Sequence, residues 1–167
     1  MIDLSQMNGV RIDPTRQRAR VEPGARLGDL DRESLSFGLV TTTGTVSHTG
    51  AAGLTLGGGF GRLARVHATA CDNLTTVDVV TASGKLLEAS ATENPDLFWG
   101  LRGGGGNFGV VTSFEYRLHP FDGRVYGGHL VFPFAEARSV LRGFAELYQE
   151  APDELWIETT LGGDALP

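Results

Sequence analysis

Glycine constrains this chain more than any other residue. There are 24 glycines among 167 residues, seven of them between Gly44 and Gly61 and six between Gly100 and Gly109. Linker glycine comes mixed with Ser and Pro. Here it is mixed with Leu, Phe, Ala and Val, which points to buried backbone that something approaches closely. The first run, Thr43-Gly44-Thr45-Val46-Ser47-His48-Thr49-Gly50-Ala51-Ala52-Gly53-Leu54-Thr55-Leu56-Gly57-Gly58-Gly59-Phe60-Gly61, has neither a period of two nor one of 3.6. It predicts mostly loop with one short helical turn.

The sequence around the two runs predicts an α+β chain. Met1 to Ser5 reads as a strand. Val10–Asp13 and Arg18–Glu22 alternate apolar and polar about Pro14-Thr15-Arg16-Gln17 and read as a hairpin. Leu27 to Phe37 predicts a helix ended by Gly38, with Leu27, Leu30 and Leu35 inward. The Thr- and Val-rich stretch Leu74–Ala82 turns at Ser83-Gly84 and returns as Lys85–Ala89. Asn94-Pro95-Asp96 starts a helix with Phe98, Trp99 and Leu101 in the core. The second glycine run follows, then a strand with Val110, Thr112, Phe114, Tyr116 and Leu118 on one face. His119-Pro120 and Phe121-Asp122-Gly123 mark a boundary. Beyond it, Gly128–Phe134 reads as a strand, Ala135–Glu150 as a helix and Glu154–Leu161 as a strand, before Gly163-Asp164-Ala165-Leu166-Pro167.

Two familiar nucleotide motifs fail on context. Gly104-Gly105-Gly106-Asn107-Phe108-Gly109 fits G-x-G-x-x-G, but a helix precedes it and a strand follows, the reverse of a dinucleotide fingerprint. A Walker loop is excluded because the one lysine, Lys85, is followed by Leu86. What remains is a backbone rich in exposed N–H groups and poor in side-chain bulk. Such a surface can hold a diphosphate or lie against a flat ring, and tight turns or close packing would use the same residues.

Composition narrows the partners. The net charge is −6 and the 13 arginines are dispersed, so no footprint for nucleic acid is seen. Cys71 is the only cysteine, which excludes an internal disulfide. It reads as a small buried hydrophobe. His67, His119 and His129 lack the spacing of a metal site and read as solvated, so no metal is expected. Asp29, Asp31, Arg32 and Glu33 read as a solvated face, and Asp72-Asn73 as a cap before the next strand. No membrane span or signal peptide is visible, and a cytoplasmic location is expected.

The first glycine run resembles the flavin-binding segment of FAD-linked oxidases of the p-cresol methylhydroxylase and vanillyl-alcohol oxidase type, in the berberine-bridge-enzyme-like branch. Three further stretches fit in order: Cys71-Asp72-Asn73-Leu74 with Val77–Ala82, Asn94–Arg102, and Gly103–Thr112. The resemblance covers nearly the whole chain. It implies the second half of a two-part FAD-binding domain over residues 1–122, an antiparallel or mixed sheet with helices. It implies the start of an α+β substrate domain over 123–167.

Thr45, Ser47, Thr49, Gly50, Ala51 and Gly53 would then line the pyrophosphate and isoalloxazine edge, with His48 touching the cofactor from within the same run. Val111 would offer its backbone to the adenine. The resemblance also implies an upstream Gly-His-Ser segment, so that this chain begins after it. A second covalent flavin link is expected to be absent, because its cysteine position falls at or near Val46. The complete enzyme would pass hydride from a small-molecule substrate to FAD and then to oxygen. No catalytic residue is assigned. The alternative is a non-catalytic remnant or interaction module, self-associating or completed by another polypeptide, which unpaired strands at both ends would favour.

Overall fold

A computed structural model describes residues 1–162. The chain divides into two compact units, Met1–Arg124 and Val125–Pro167.

The first unit is built on a five-stranded sheet of order β1 (Val10–Asp13), β2 (Arg18–Val21), β6 (Val110–Arg117), β4 (Leu74–Val80) and β5 (Leu86–Ser90), with every pairing antiparallel. The hairpin β1 (Val10–Asp13) and β2 (Arg18–Val21) forms as its alternation predicts. In β2, Ala19 and Val21 are fully buried while Arg18 and Arg20 face outward. There Arg18 pairs with Glu115 at 3.6 Å and Arg20 with Asp78. Helix α1 (Leu27–Leu35) follows, with Arg26 N–H donating to Asp29 at 3.1 Å across its first turn. Then come β3 (Leu39–Val40), α2 (Ala51–Leu56) and the single-turn α3 (Ala64–His67). Next are β4 (Leu74–Val80), β5 (Leu86–Ser90), α4 (Pro95–Leu101), β6 (Val110–Arg117) and β7 (His119–Pro120). Strands β3 and β7 form a separate two-stranded ladder. The core joins Leu27 and Leu30 of α1, Ala51 of α2 and Leu101 of α4 to Val77, Val79, Phe114 and Tyr116 of the sheet.

Several sequence expectations are corrected. Met1–Ser5 is not a strand, and Leu4 instead closes a turn that accepts Met7 N–H at 2.9 Å. Leu35 is 44% exposed, because the inward stripe of α1 runs through Leu27, Leu30 and Ser34 and leaves Leu35 beside it. Trp99 is 79% exposed, since α4 buries Phe98, Gly100 and Leu101 instead. On β6 the inward residues are Val111, then Phe114 and Tyr116, rather than Val110 and Thr112. The register passes from Asp78↔Ser113 to Val79↔Val111 and leaves Thr112 as an extra residue. Such a bulge shifts the alternation by one. Thr75 is the matching extra residue on β4.

In the second unit a 14-residue helix, α5 (Ala137–Glu150), forms near the expected Ala135–Glu150 and buries none of its residues. Gly128–Phe134 and Glu154–Leu161 are not strands. A strand needs a partner for its ladder, and none pairs with them among the described residues. The unpaired strands expected at Met1–Ser5 and Glu154–Leu161 are thus not found. Residues 163–167, which end the expected second domain, lie outside the described residues.

Candidate functional site

The first glycine run folds into a loop-and-helix corner stitched to the start of α1. Leu27 N–H donates to Thr49 O, Gly28 N–H to Ser47 O and Ala51 N–H to Ala25 O, each at 2.9 Å. The loop carbonyls are thereby turned inward. Gly28 permits the approach, because a Cβ there would lie 3.1 Å from that of Ser47. Among the described residues, the N–H groups of Thr45, Val46, Ser47 and His48 donate to no protein acceptor. Thr45 to His48 are exposed, so these donors face solvent or whatever binds there.

Five of the seven glycines of the run separate into two kinds. A Cβ on Gly61 would lie 1.6 Å from Thr43 O, one on Gly59 2.5 Å from the Ala70 methyl, and one on Gly44 2.5 Å from Leu54. Packing within the chain requires those three. Gly50 and Gly53 are different: a Cβ on either meets nothing within 4 Å. Gly50 has φ −69° and Gly53 lies inside α2, so neither needs glycine's conformational freedom. Glycine inside a helix costs about 0.5–1 kcal/mol relative to Ala. Gly50 caps α2, a position that glycine commonly fills. For Gly53 neither packing nor backbone conformation gives a reason.

Helix α2 is anchored from below. Thr55 Oγ1 and Tyr116 Oη lie 2.7 Å apart, both fully buried. Burial pushes the Tyr116 phenol far above its ordinary range, so it stays protonated. At the far end of α2, Leu56 O accepts Gly105 N–H at 2.9 Å. This bond brings the second glycine run against the first. In that run Phe108 lies across Gly100 and Gly104, where added Cβ atoms would come within 2.7 Å of its ring. Gly109, at φ +146°, would press a Cβ to 2.4 Å from Val80 O.

Beside the corner lies an open cleft of about 300 Å³. Thr43, Thr45, Ser47, Arg62, Leu63, Asp31 and Phe121 are among the residues that line it. Burial raises the Asp31 carboxyl above its usual range, opposed by the Thr43 hydroxyl donating to it at 3.3 Å.

Thr45, Ser47, His48, Thr49, Gly50, Ala51 and Gly53 are thus brought together on one corner. Their side chains differ in role: Ala51 is buried, while Thr45, Ser47 and His48 are exposed. Val111 is not part of the corner. Its side chain is buried in the sheet, paired with Val79 beside the bulge. Sequence reasoning missed Asp31, which is no solvated surface charge. Its place four residues after Leu27 sets it on the inward stripe of α1, a usable signal. It also missed Tyr116, whose pairing with Thr55 has no local trace. His67 and His119 are not simply solvated, because their rings stack with centroids 3.9 Å apart. Cys71 is buried as expected.

Residues 1–90 match the FAD binding domain family. The chain is 39% identical over 150 residues to xylooligosaccharide oxidase of Thermothelomyces thermophilus, covering 89% of this chain and 30% of that protein. The solved structure of 6-hydroxy-D-nicotine oxidase from Arthrobacter nicotinovorans superposes with a TM-score of 0.84 at 37% identity, covering 90% of this chain and 34% of that one. Physcomitrella patens BBE-like 1 superposes at 0.67 with 32% identity, covering 70% and 26%. The chain spans about a third of the length of the curated relatives it matches.

Proposed function

Because the chain belongs to the FAD binding domain family, we propose that its Thr45–Gly53 corner forms one wall of the FAD site of an FAD-dependent oxidase. The observation that carries this is the open surface at Gly50 and Gly53, where an added side chain would meet no atom of the chain. The N–H groups of Thr45 to His48 are donors suited to a diphosphate, which needs no lysine when backbone N–H groups converge. The small faces of Gly50 and Gly53 suit the edge of a flat ring. The Val111 backbone is our candidate for the adenine, and residues 1–122 and 123–167 are our division into FAD domain and start of a substrate domain.

Bound FAD supplies the hydride acceptor, and the protein supplies position and electrostatics. In that division of labour the inward carbonyls of Ser47 and Thr49 hold the loop, and the Thr55–Tyr116 bond holds α2 beneath it. The substrate is a small organic molecule. One relative is named for an oligosaccharide and another for a nicotine derivative, so we propose no narrower class.

The test is the visible absorption spectrum of the purified chain after incubation with FAD and gel filtration, before and after acid precipitation. A flavin band that moves to the supernatant is the expected result. A protein without flavin would overturn binding by this chain, and colour held in the pellet would overturn the non-covalent site.

A further inference from the structure

We propose that the stacked His67–His119 pair is a proton-operated clasp on the cleft beside Thr43–Ser47, closed while both rings are neutral and released when they gain charge. The inference concerns the clasp alone and stands whatever group the cleft receives.

Each ring sits close in sequence to residues that line the cleft. His67 ends α3, and its N–H donates to Leu63 O at 2.8 Å. Leu63 and its neighbour Arg62 line the cleft. His119 opens β7, and Phe121, two residues on, lines the same cleft. The rings stack nearly parallel, at 6° with centroids 3.9 Å apart. The contact between imidazoles thus joins two segments, distant in sequence, that each contribute lining residues to the cleft.

Asn73 defines the protonation state of the closed form. Its Nδ2 donates to His67 O at 2.8 Å and to Thr69 O at 2.9 Å. This orients its Oδ1 toward His119 Nε2, 2.7 Å away. An amide oxygen only accepts, so Nε2 carries the proton and neutral His119 titrates at Nδ1. The second proton creates a cation stacked on another imidazole. The charged groups around the pair do not favour that cation. Arg117 approaches from β6, and Arg65 lies on the same turn as His67. The Asp72 carboxylate, beside Asn73, is bound by Thr69 Oγ1 at 2.6 Å and Arg102 at 2.9 Å. Burial holds both histidines below their ordinary range, and His119 is lowered further by His67 and Arg117.

The segment is also loaded to move. Ala68, directly after His67, has φ +58° and ψ −165°, a backbone state disfavoured for any residue with a Cβ. It is held there by Thr42 Oγ1 donating to Ala68 O at 2.8 Å and by the Asn73 bond to His67 O. Loss of the stack leaves a strained turn with fewer restraints.

The test is amide hydrogen exchange of the full chain from pH 7.5 to 5, corrected for intrinsic rates and referenced to β4. The variants are His119→Gln, which keeps a donor toward Asn73 without titrating, and His67→Phe, which keeps an aromatic ring in the stack. In the wild type, protection of residues 62–68 should fall about tenfold relative to β4. It should stay level in both variants, and imidazole nitrogen spectra should place the neutral His119 proton on Nε2. A level wild-type profile, the same fall in the variants, or a proton on Nδ1 would overturn the clasp. Should His119→Gln fail to fold, His67→Phe decides alone.

Discussion

At the scale of single residues, the informative distinction is between glycines the fold needs and glycines it does not. Gly61→Ala would drive a Cβ into the Thr43 carbonyl, so it should destabilise by more than about 2 kcal/mol, in the range of strain and overpacking. Gly53→Ala should instead raise stability by about 0.5–1 kcal/mol, because α2 gains a better helix former and nothing is displaced. Denaturant melts of the two variants separate the cases. Asp31 gives a pH-dependent prediction. Its folded pKa lies above the unfolded value, so the fold favours the neutral acid and loses stability as pH rises through the folded pKa. Asp31→Asn should therefore melt above wild type at pH 7, and the gap should close below about pH 3.5. A constant gap would contradict the buried-carboxyl account. The glycine clustering was legible in the sequence. Which glycines were structural was not, because that depends on contacts such as Gly61 against Thr43, set by tertiary packing.

Among the elements, local pattern revealed what local physics builds. The β1–β2 hairpin and α1 carry alternation or periodicity within their own residues, and both formed where expected. The β3–β7 ladder pairs Leu39–Val40 with His119–Pro120, about eighty residues apart, and two-residue strands leave no pattern to read. Helix α3 is one turn ended by a strained Ala68, without a cap signal. The face of β6 was misread because the extra Thr112 resets the alternation. The joint between α2 and β6 is open to measurement. Tyr116→Phe leaves the buried Thr55 hydroxyl without its partner and should cost about 1–3 kcal/mol. Thr55→Val combined with Tyr116→Phe should cost less than the two single changes added together. Strict additivity in that cycle would mean that the bond does not couple the two elements.

For the molecule as a whole, stability is concentrated in the first unit. Its sheet supplies fully buried Phe114 and Tyr116, while α5 of the second unit buries no residue. Amides of α5 should therefore exchange much faster than those of β4 and β6, and equal protection would contradict this picture. The antiparallel sheet with helices and the FAD family were legible from residue order alone, because the glycine runs and their flanking strands are local features. The two strands expected in the second unit were not found, since apolar sequence without a partner forms no ladder.

The central claim is that Gly53 is kept bare for FAD rather than for the fold. The most direct measurement is the change in melting temperature on adding FAD to the wild-type chain and to Gly53→Ala. The account predicts a clear rise for the wild type, and for Gly53→Ala a higher starting temperature with little or no rise. No rise in the wild type, or an equal rise in both, would contradict it.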